Sequence, residues 1–142
     1  MKRPLTVEAF LELLRTADVL SQGLAATLKP YGLSHNQYNV LRILRGAGPG
    51  RLPCGQIAER MLTRDPDMTR LLDRLEGRGL VSRCREQGDR RVVLTRITEQ
   101  GMAMLAELED PVRNMHGAQL GHLSDAKLRS LIELLEAARR ST

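Results

Sequence analysis

Between residues 64 and 78 the sequence sets a series of guanidinium groups on one side of an apolar stripe. Met68, Leu71, Leu72 and Leu75 recur at helical spacing and face inward, which leaves Asp67, Thr69, Arg70, Asp73, Arg74 and Arg78 facing out. A guanidinium can bridge phosphate oxygens or the O6/N7 edge of guanine, and a threonine can reach a phosphate or a thymine methyl. Arg64, Pro66, Asp67, Thr69, Arg70 and Arg74 are therefore the candidate contacts to a DNA major groove. A second group, Asp89, Arg90 and Arg91, falls among turn residues between two short β-type runs. Arginine at such a tip suits the negative potential of a narrow minor groove. Ser34, Asn36, Gln56 and Arg83 are further candidates for phosphate contacts. Asp65 and Asp67 cut the other way, since a carboxylate accepts from cytosine N4 but repels phosphate. Asp67 can instead cap the helix or hold an arginine.

These groups act together only if the chain positions them. The reading helix is expected to begin with Asp65 as N-cap and Pro66 in its first turn, and to end at Gly79, which supplies a left-handed residue. A shorter helix precedes it, from about Pro53 to Met61, with Pro53 in its first turn. Leu62-Thr63-Arg64 links the two as a tight turn, which completes a helix-turn-helix plan. After Gly79 the period changes. Residues 80–85 and 91–97 read as strands of a two-stranded hairpin, which is marginal alone and must lean on the helices.

Longer helices flank this unit. Thr6 is the expected N-cap of a helix running to Leu28, with Phe10, Leu14, Ala17, Leu20 and Leu24 on one stripe and Leu11 and Val19 on a second apolar edge. Ser34 and Gln37 form a capping box, with Leu33 and Tyr38 as a hydrophobic staple. Thr98 caps a long helix in which Pro111 should introduce a kink or a division. Leu123, Ser124 and Leu128 repeat the cap and staple before a last helix ending in Arg139-Arg140.

Charge is concentrated. From Arg42 to Arg96 there are 13 arginines against 7 acidic residues, a net of +6, while the remainder of the chain nets −1. A basic segment of this kind is the footprint of a polyanion partner. Taken alone, the helix at 65–78 would read as an ordinary amphipathic surface helix with charge pairs such as Arg70 with Asp73. The turn, the hairpin and the local charge together point to double-stranded DNA. A protein-interaction module that docks an acidic partner is the alternative. One Phe, two Tyr and no Trp argue against stacking single-stranded bases and require an aliphatic core.

Charged residues interrupt every apolar run before the roughly 20 residues a membrane span needs, and no signal-peptide stretch follows Met1. No membrane association and a cytoplasmic location are expected. Cys54 and Cys84 are candidate redox residues, with small-residue packing as the plainer reading. His35, His116 and His122 are too scattered for a metal site. No phosphate-cradling loop, nucleophile motif or ligand cluster occurs, so neither a cofactor nor an enzyme activity is expected.

The run Leu52…Gln56-Ile57-Ala58-Glu59-Arg60, then Met68-Thr69-Arg70-Leu71-Leu72-Asp73-Arg74-Leu75-Glu76-Gly77-Arg78-Gly79-Leu80-Val81, resembles the MarR family of bacterial and archaeal regulators. So does Arg83…Asp89-Arg90-Arg91-Val92-Val93-Leu94-Thr95…Thr98-Glu99…Gly101. The resemblance spans essentially the whole chain. It implies a mainly α fold with a small β-hairpin wing (α+β), a winged helix-turn-helix at 33–97 and a helical dimerisation region at 1–32 and 98–142. It also implies a triangular homodimer, the helix from Asp65 in the major groove, and the wing arginine in the minor groove with Asp89 bracing it. Relatives often bind small aromatic or phenolic anions between the dimer layer and the reading head, and some sense oxidants through cysteine. A ligand-responsive repressor is the function implied. Two positions depart from the family pattern: Pro53 replaces a Ser/Thr cap, and Asp65-Pro66-Asp67 replaces small polar residues at the reading end. The preferred DNA sequence is therefore not carried over.

Overall fold

In the computed structural model, which describes residues 2–140, the first helix starts from a proline. Helix α1 spans Leu5–Leu28, and the Pro4 carbonyl accepts from the Val7 and Glu8 N–H groups at 3.0 and 3.1 Å. Thr6, expected as the N-cap, lies inside the first turn. Pro4 takes its place because its ring fixes φ, here −60°, and the chain can turn helical directly after it. Lys29–Tyr31 tightens into one 3₁₀ turn and Gly32 reverses the chain. Helix α2 (His35–Gly46) opens on a complete capping box: Ser34 Oγ accepts from the Gln37 N–H at 3.1 Å, and Gln37 Oε1 accepts from the Ser34 N–H at 2.9 Å. Leu33 and Tyr38 are buried beside it.

Strand β1 (Leu52–Pro53) leads straight into α3 (Cys54–Arg60), and α4 (Met68–Gly77) follows. Strands β2 (Val81–Arg85) and β3 (Val93–Ile97) form the hairpin. The sheet has three antiparallel strands in the order β1-β3-β2, not two. Leu52 pairs with Thr95, and β2 runs in register from Val81↔Ile97 to Arg85↔Val93. A two-residue strand leaves no alternation to read, and its proline sits on an edge, where a missing N–H is tolerated. Pro53 thus closes β1 and precedes α3 instead of lying in the first helical turn.

Helix α5 (Glu99–Leu120) is capped by Thr98, whose Oγ1 accepts from the Gly101 N–H at 3.1 Å and donates to the Gly79 carbonyl at 2.7 Å. A Cβ at Gly101 would stand 2.4 Å from the Leu80 oxygen, so α5 reaches the base of the sheet only through a glycine. Pro111 does not divide α5. Helix α6 (Asp125–Arg140) closes the chain, with Ser124 Oγ accepting from the Lys127 N–H at 3.3 Å.

The core is aliphatic and lies in the central head. Leu41 and Leu44 of α2, Ile57 of α3, Leu72 and Leu75 of α4, Leu80 with Val81 of β2, and Leu108 of α5 are buried together with Leu28. Each such side chain contributes about 1.5–3 kcal/mol of transfer free energy. The outer helices differ sharply. Among the described residues α1 buries Leu28 alone and α6 buries none. Leu5, Phe10, Leu13, Leu14 and Val19 of α1 and Ile132 and Leu134 of α6 are exposed.

Candidate nucleic-acid interface

The turn ahead of α4 is built by two asparagines of α2. Asn39, buried, accepts the Leu62 N–H on Oδ1 at 2.8 Å. Asn36 accepts from Thr63 Oγ1 at 3.0 Å and donates Nδ2 to Asp65 Oδ2 at 2.8 Å. The other oxygen of Asp65 accepts the Asp67 N–H at 2.8 Å. Asp67 then caps the helix, its Oδ1 accepting the Arg70 N–H at 3.1 Å. The helix therefore begins two residues later than expected, with Asp67 and not Asp65 as its N-cap. Asp65 stays outside it because its carboxylate is committed to the turn, and Pro66 extends the approach. The Asn36 amide, then the Asp67 N–H, hold the Asp65 carboxyl below its ordinary pKa against slight desolvation.

This arrangement makes a direct prediction. Asn36→Ala should cost about 1–3 kcal/mol of stability, from losing two side-chain hydrogen bonds. Amide exchange should accelerate at residues 62–67 and leave α5 protected; unchanged exchange in the turn would contradict the assigned role.

Leu71, Leu72 and Leu75 seat α4 on the core, which turns its other face to solvent. Arg64, Thr69, Arg70 and Arg74 are exposed, and Pro66 with them. The guanidinium groups of Arg64, Arg70 and Arg74 have no hydrogen-bond or ion-pair partner among the described residues. Arg78 differs: it donates to the Gly32 and Tyr31 carbonyls at 2.8 and 2.9 Å and ties the end of α4 to the 3₁₀ turn that follows α1.

The wing tip is braced from within. Asp89 Oδ1 accepts the Arg91 N–H at 3.0 Å and Arg91 Nε at 3.1 Å, and Oδ2 accepts Nη2 at 3.2 Å. Arg91 keeps 90% of its side chain exposed. Its guanidinium holds the Asp89 carboxyl below the usual carboxylate pKa. The Arg90 carbonyl accepts Arg85 Nη1 at 2.6 Å, while its own side chain is exposed without a partner among the described residues. Thr69 of α4 and Arg91 of the wing line one cleft of about 380 Å³, together with Pro53, Cys54 and Arg83. Reading helix and wing thus stand side by side.

The expected phosphate contacts fall into two groups. Gln56 is exposed on α3, and Ser34 Oγ accepts its capping bond yet retains a hydroxyl proton to donate. Asn36 and Arg83 are engaged inside the protein. Arg83 donates Nε and Nη2 to Glu76 Oε1 at 3.2 and 2.8 Å, its N–H to Glu76 Oε2 at 3.1 Å, and Nη2 also to Asp73. Cys54 is half-buried in the cleft, and Cys84 is exposed on β2.

A second cavity, about 560 Å³, opens where α1, α2 and α5 meet. Leu20, Leu24, Ile43, Leu62 and Leu120 give it apolar walls, and His35, Arg42 and His116 line it as well. Arg42 donates to the Tyr38 hydroxyl at 3.1 Å and sits 5.8 Å from its ring centroid. Sequence reasoning missed this set. The available signal was His35, Asn39 and Arg42 at i, i+4 and i+7, which places three polar side chains on one face of the helix.

Among the described residues no helix is long and apolar enough to cross a membrane. A family model described as the MarR family matches residues 33–93. A MarR transcription factor from Planctomyces limnophilus, a solved structure, is 44% identical with a TM-score of 0.76, over 96% of this chain and 99% of that one. The HTH-type transcriptional regulator PecS of Dickeya dadantii (strain 3937) is 32% identical over 102 residues, 70% of this chain. The match spans 61% of PecS, less than two thirds of that protein. A mutant MarR from E. coli, solved with operator DNA, is 22% identical with a TM-score of 0.84 over 94% of each chain, a likeness of fold.

Proposed function

The chain belongs to the MarR family, and from that premise we propose that it is a sequence-specific transcriptional regulator of double-stranded DNA. Family and fold are those of transcription regulators, not enzymes. The observation that carries the reading is the cleft shared by Thr69 and Arg91, with the guanidinium groups of Arg64, Arg70 and Arg74, unpartnered among the described residues, on the same helix-turn-helix. In this reading α4 enters a major groove with Thr69, Arg70 and Arg74, and Arg90 and Arg91 enter the adjacent minor groove. Ser34 and Gln56 donate to phosphates. Asp65 and Asp67 shape the turn and leave base contact to their neighbours.

The protein acts as a homodimer through residues 1–32 and 98–142, with 33–97 as the reading head. The support is the apolar surface that α1 and α6 leave uncovered in one chain. Two heads related by a dyad meet half-sites about one helical turn apart. A small aromatic or phenolic anion in the cavity of about 560 Å³ fits its aliphatic walls and the cation of Arg42. Such a ligand shifts the spacing of the heads and releases an operator held in repression in the cytoplasm.

Selection from random duplex DNA, followed by a salt titration of the recovered sequence, tests this. We expect a shared motif with two half-sites and a log–log slope steeper than about −5, from about 0.9 per phosphate engaged. Recovery of no motif, or affinity insensitive to salt, would overturn the reading.

A further inference from the structure

Arg83 lies within the basic segment yet turns its charge away from solvent, with 19% of its side chain exposed. Its partners sit on one face of α4, Asp73 and Glu76 at i, i+3. Glu76 uses both carboxylate oxygens on this one residue, Oε1 for the guanidinium and Oε2 for the backbone N–H. A charge pair alone could slide. Adding the main-chain bond fixes where strand β2 lies along the helix and how it is rotated. β2 is an edge strand of the sheet, so its outward N–H would otherwise be open. Beyond Arg85↔Val93 one more cross-strand bond forms, from the Glu86 N–H to the Val92 carbonyl at 2.9 Å, and the tip at 87–91 extends from strands anchored below it.

We propose that Arg83 is a positioning residue, which with Glu76 and Asp73 clamps the wing to the reading helix and sets the spacing at which the two meet DNA. The proposal rests on the DNA-binding reading above. It assigns Arg83 an action through Arg91 in place of a phosphate contact of its own. The Asp73–Glu76–Arg83 trio carries a net charge of −1 beside a surface meant for a polyanion. Simple electrostatics therefore says that neutralising Glu76 should tighten DNA binding. A clamp demands the opposite sign.

The test uses the full-length protein and the duplex it selects from a random pool. Glu76→Gln should bind that duplex about tenfold more weakly, with an unchanged salt slope. Arg91→Ala should cost markedly less in the Glu76→Gln background than in the wild type, since a wing already misplaced has less to lose. Arg83→Lys, which keeps the charge but loses the fork, should show the same loss and guards against misfolding of a harsher variant. Thermal melts within a few degrees of wild type exclude a global cause. Tighter binding by Glu76→Gln, strict additivity with Arg91→Ala, or a slope reduced by about 1 in Arg83→Ala would overturn the clamp, the last because it marks a lost phosphate contact. Failure of the wild type to select any duplex would sink the DNA-binding reading itself, whereas tight wild-type binding with Glu76→Gln unweakened would sink the clamp alone.

Discussion

Arg91→Ala should weaken binding to every duplex, selected or scrambled, by about 1–3 kcal/mol, or roughly ten- to a hundredfold. Two effects add. The guanidinium is 90% exposed and pre-aimed, so its loss removes a minor-groove contact that needed little ordering on binding. Its loss also strips Asp89 of the two side-chain hydrogen bonds and leaves a carboxylate without its counter-charge at the surface that approaches phosphate. The backbone bond from the residue-91 N–H survives alanine substitution, so the tip keeps part of its shape. Arg90→Ala removes an equal charge with no brace and should cost less. Mobility shifts of the two variants at one salt concentration separate these contributions. Equal losses, or an Arg91→Ala loss confined to one sequence, would contradict the bracing argument.

The second large effect concerns assembly. A helix of 16 residues without a buried residue is poorly held by its own propensity, and α6 is such a helix. Phe10 is 58% and Ile132 54% exposed in one chain. These positions lie outside the core of the head, so charged substitutions there spare its packing. At a two-fold interface each substitution counts twice. Phe10→Glu with Ile132→Glu should therefore shift the protein to monomers in sedimentation equilibrium at micromolar concentration. Affinity for a two-half-site duplex should fall by a hundredfold or more, while binding to a single half-site changes little. A wild type that sediments as a monomer, or a double variant that remains dimeric, would refute this use of the outer helices.

Much of this architecture was legible because its determinants are local. The Ser34–Gln37 capping box, the Thr98 cap and the left-handed Gly79 each depend on residues within a few positions, and each stands where the sequence put it. The start of α4 was misjudged for the converse reason. Asp65-Pro66 has the local pattern of a helix start, but Asn36, 29 residues away, takes the Asp65 carboxylate. Pro4 overrode Thr6 through backbone geometry that a side-chain capping rule does not weigh. Strand β1 is too short to show a period. Residue type made Arg83 a candidate phosphate contact, and the two carboxylates that α4 presents to it are brought opposite only by the fold. The cavity lined by His35, Arg42 and His116 likewise gathers three helices distant in sequence.

The most direct measurement of the central claim, one head gripping two adjacent grooves, is a paired footprint on the selected duplex. Dimethyl sulfate reads guanine N7 in the major groove, and hydroxyl radicals report minor-groove and backbone access. The expected result is major-groove protection in each half-site flanked by minor-groove protection, with the flanking signal lost in Arg91→Ala and the central one retained. Protection confined to one groove, or both signals vanishing together in Arg91→Ala at saturating protein, would contradict it.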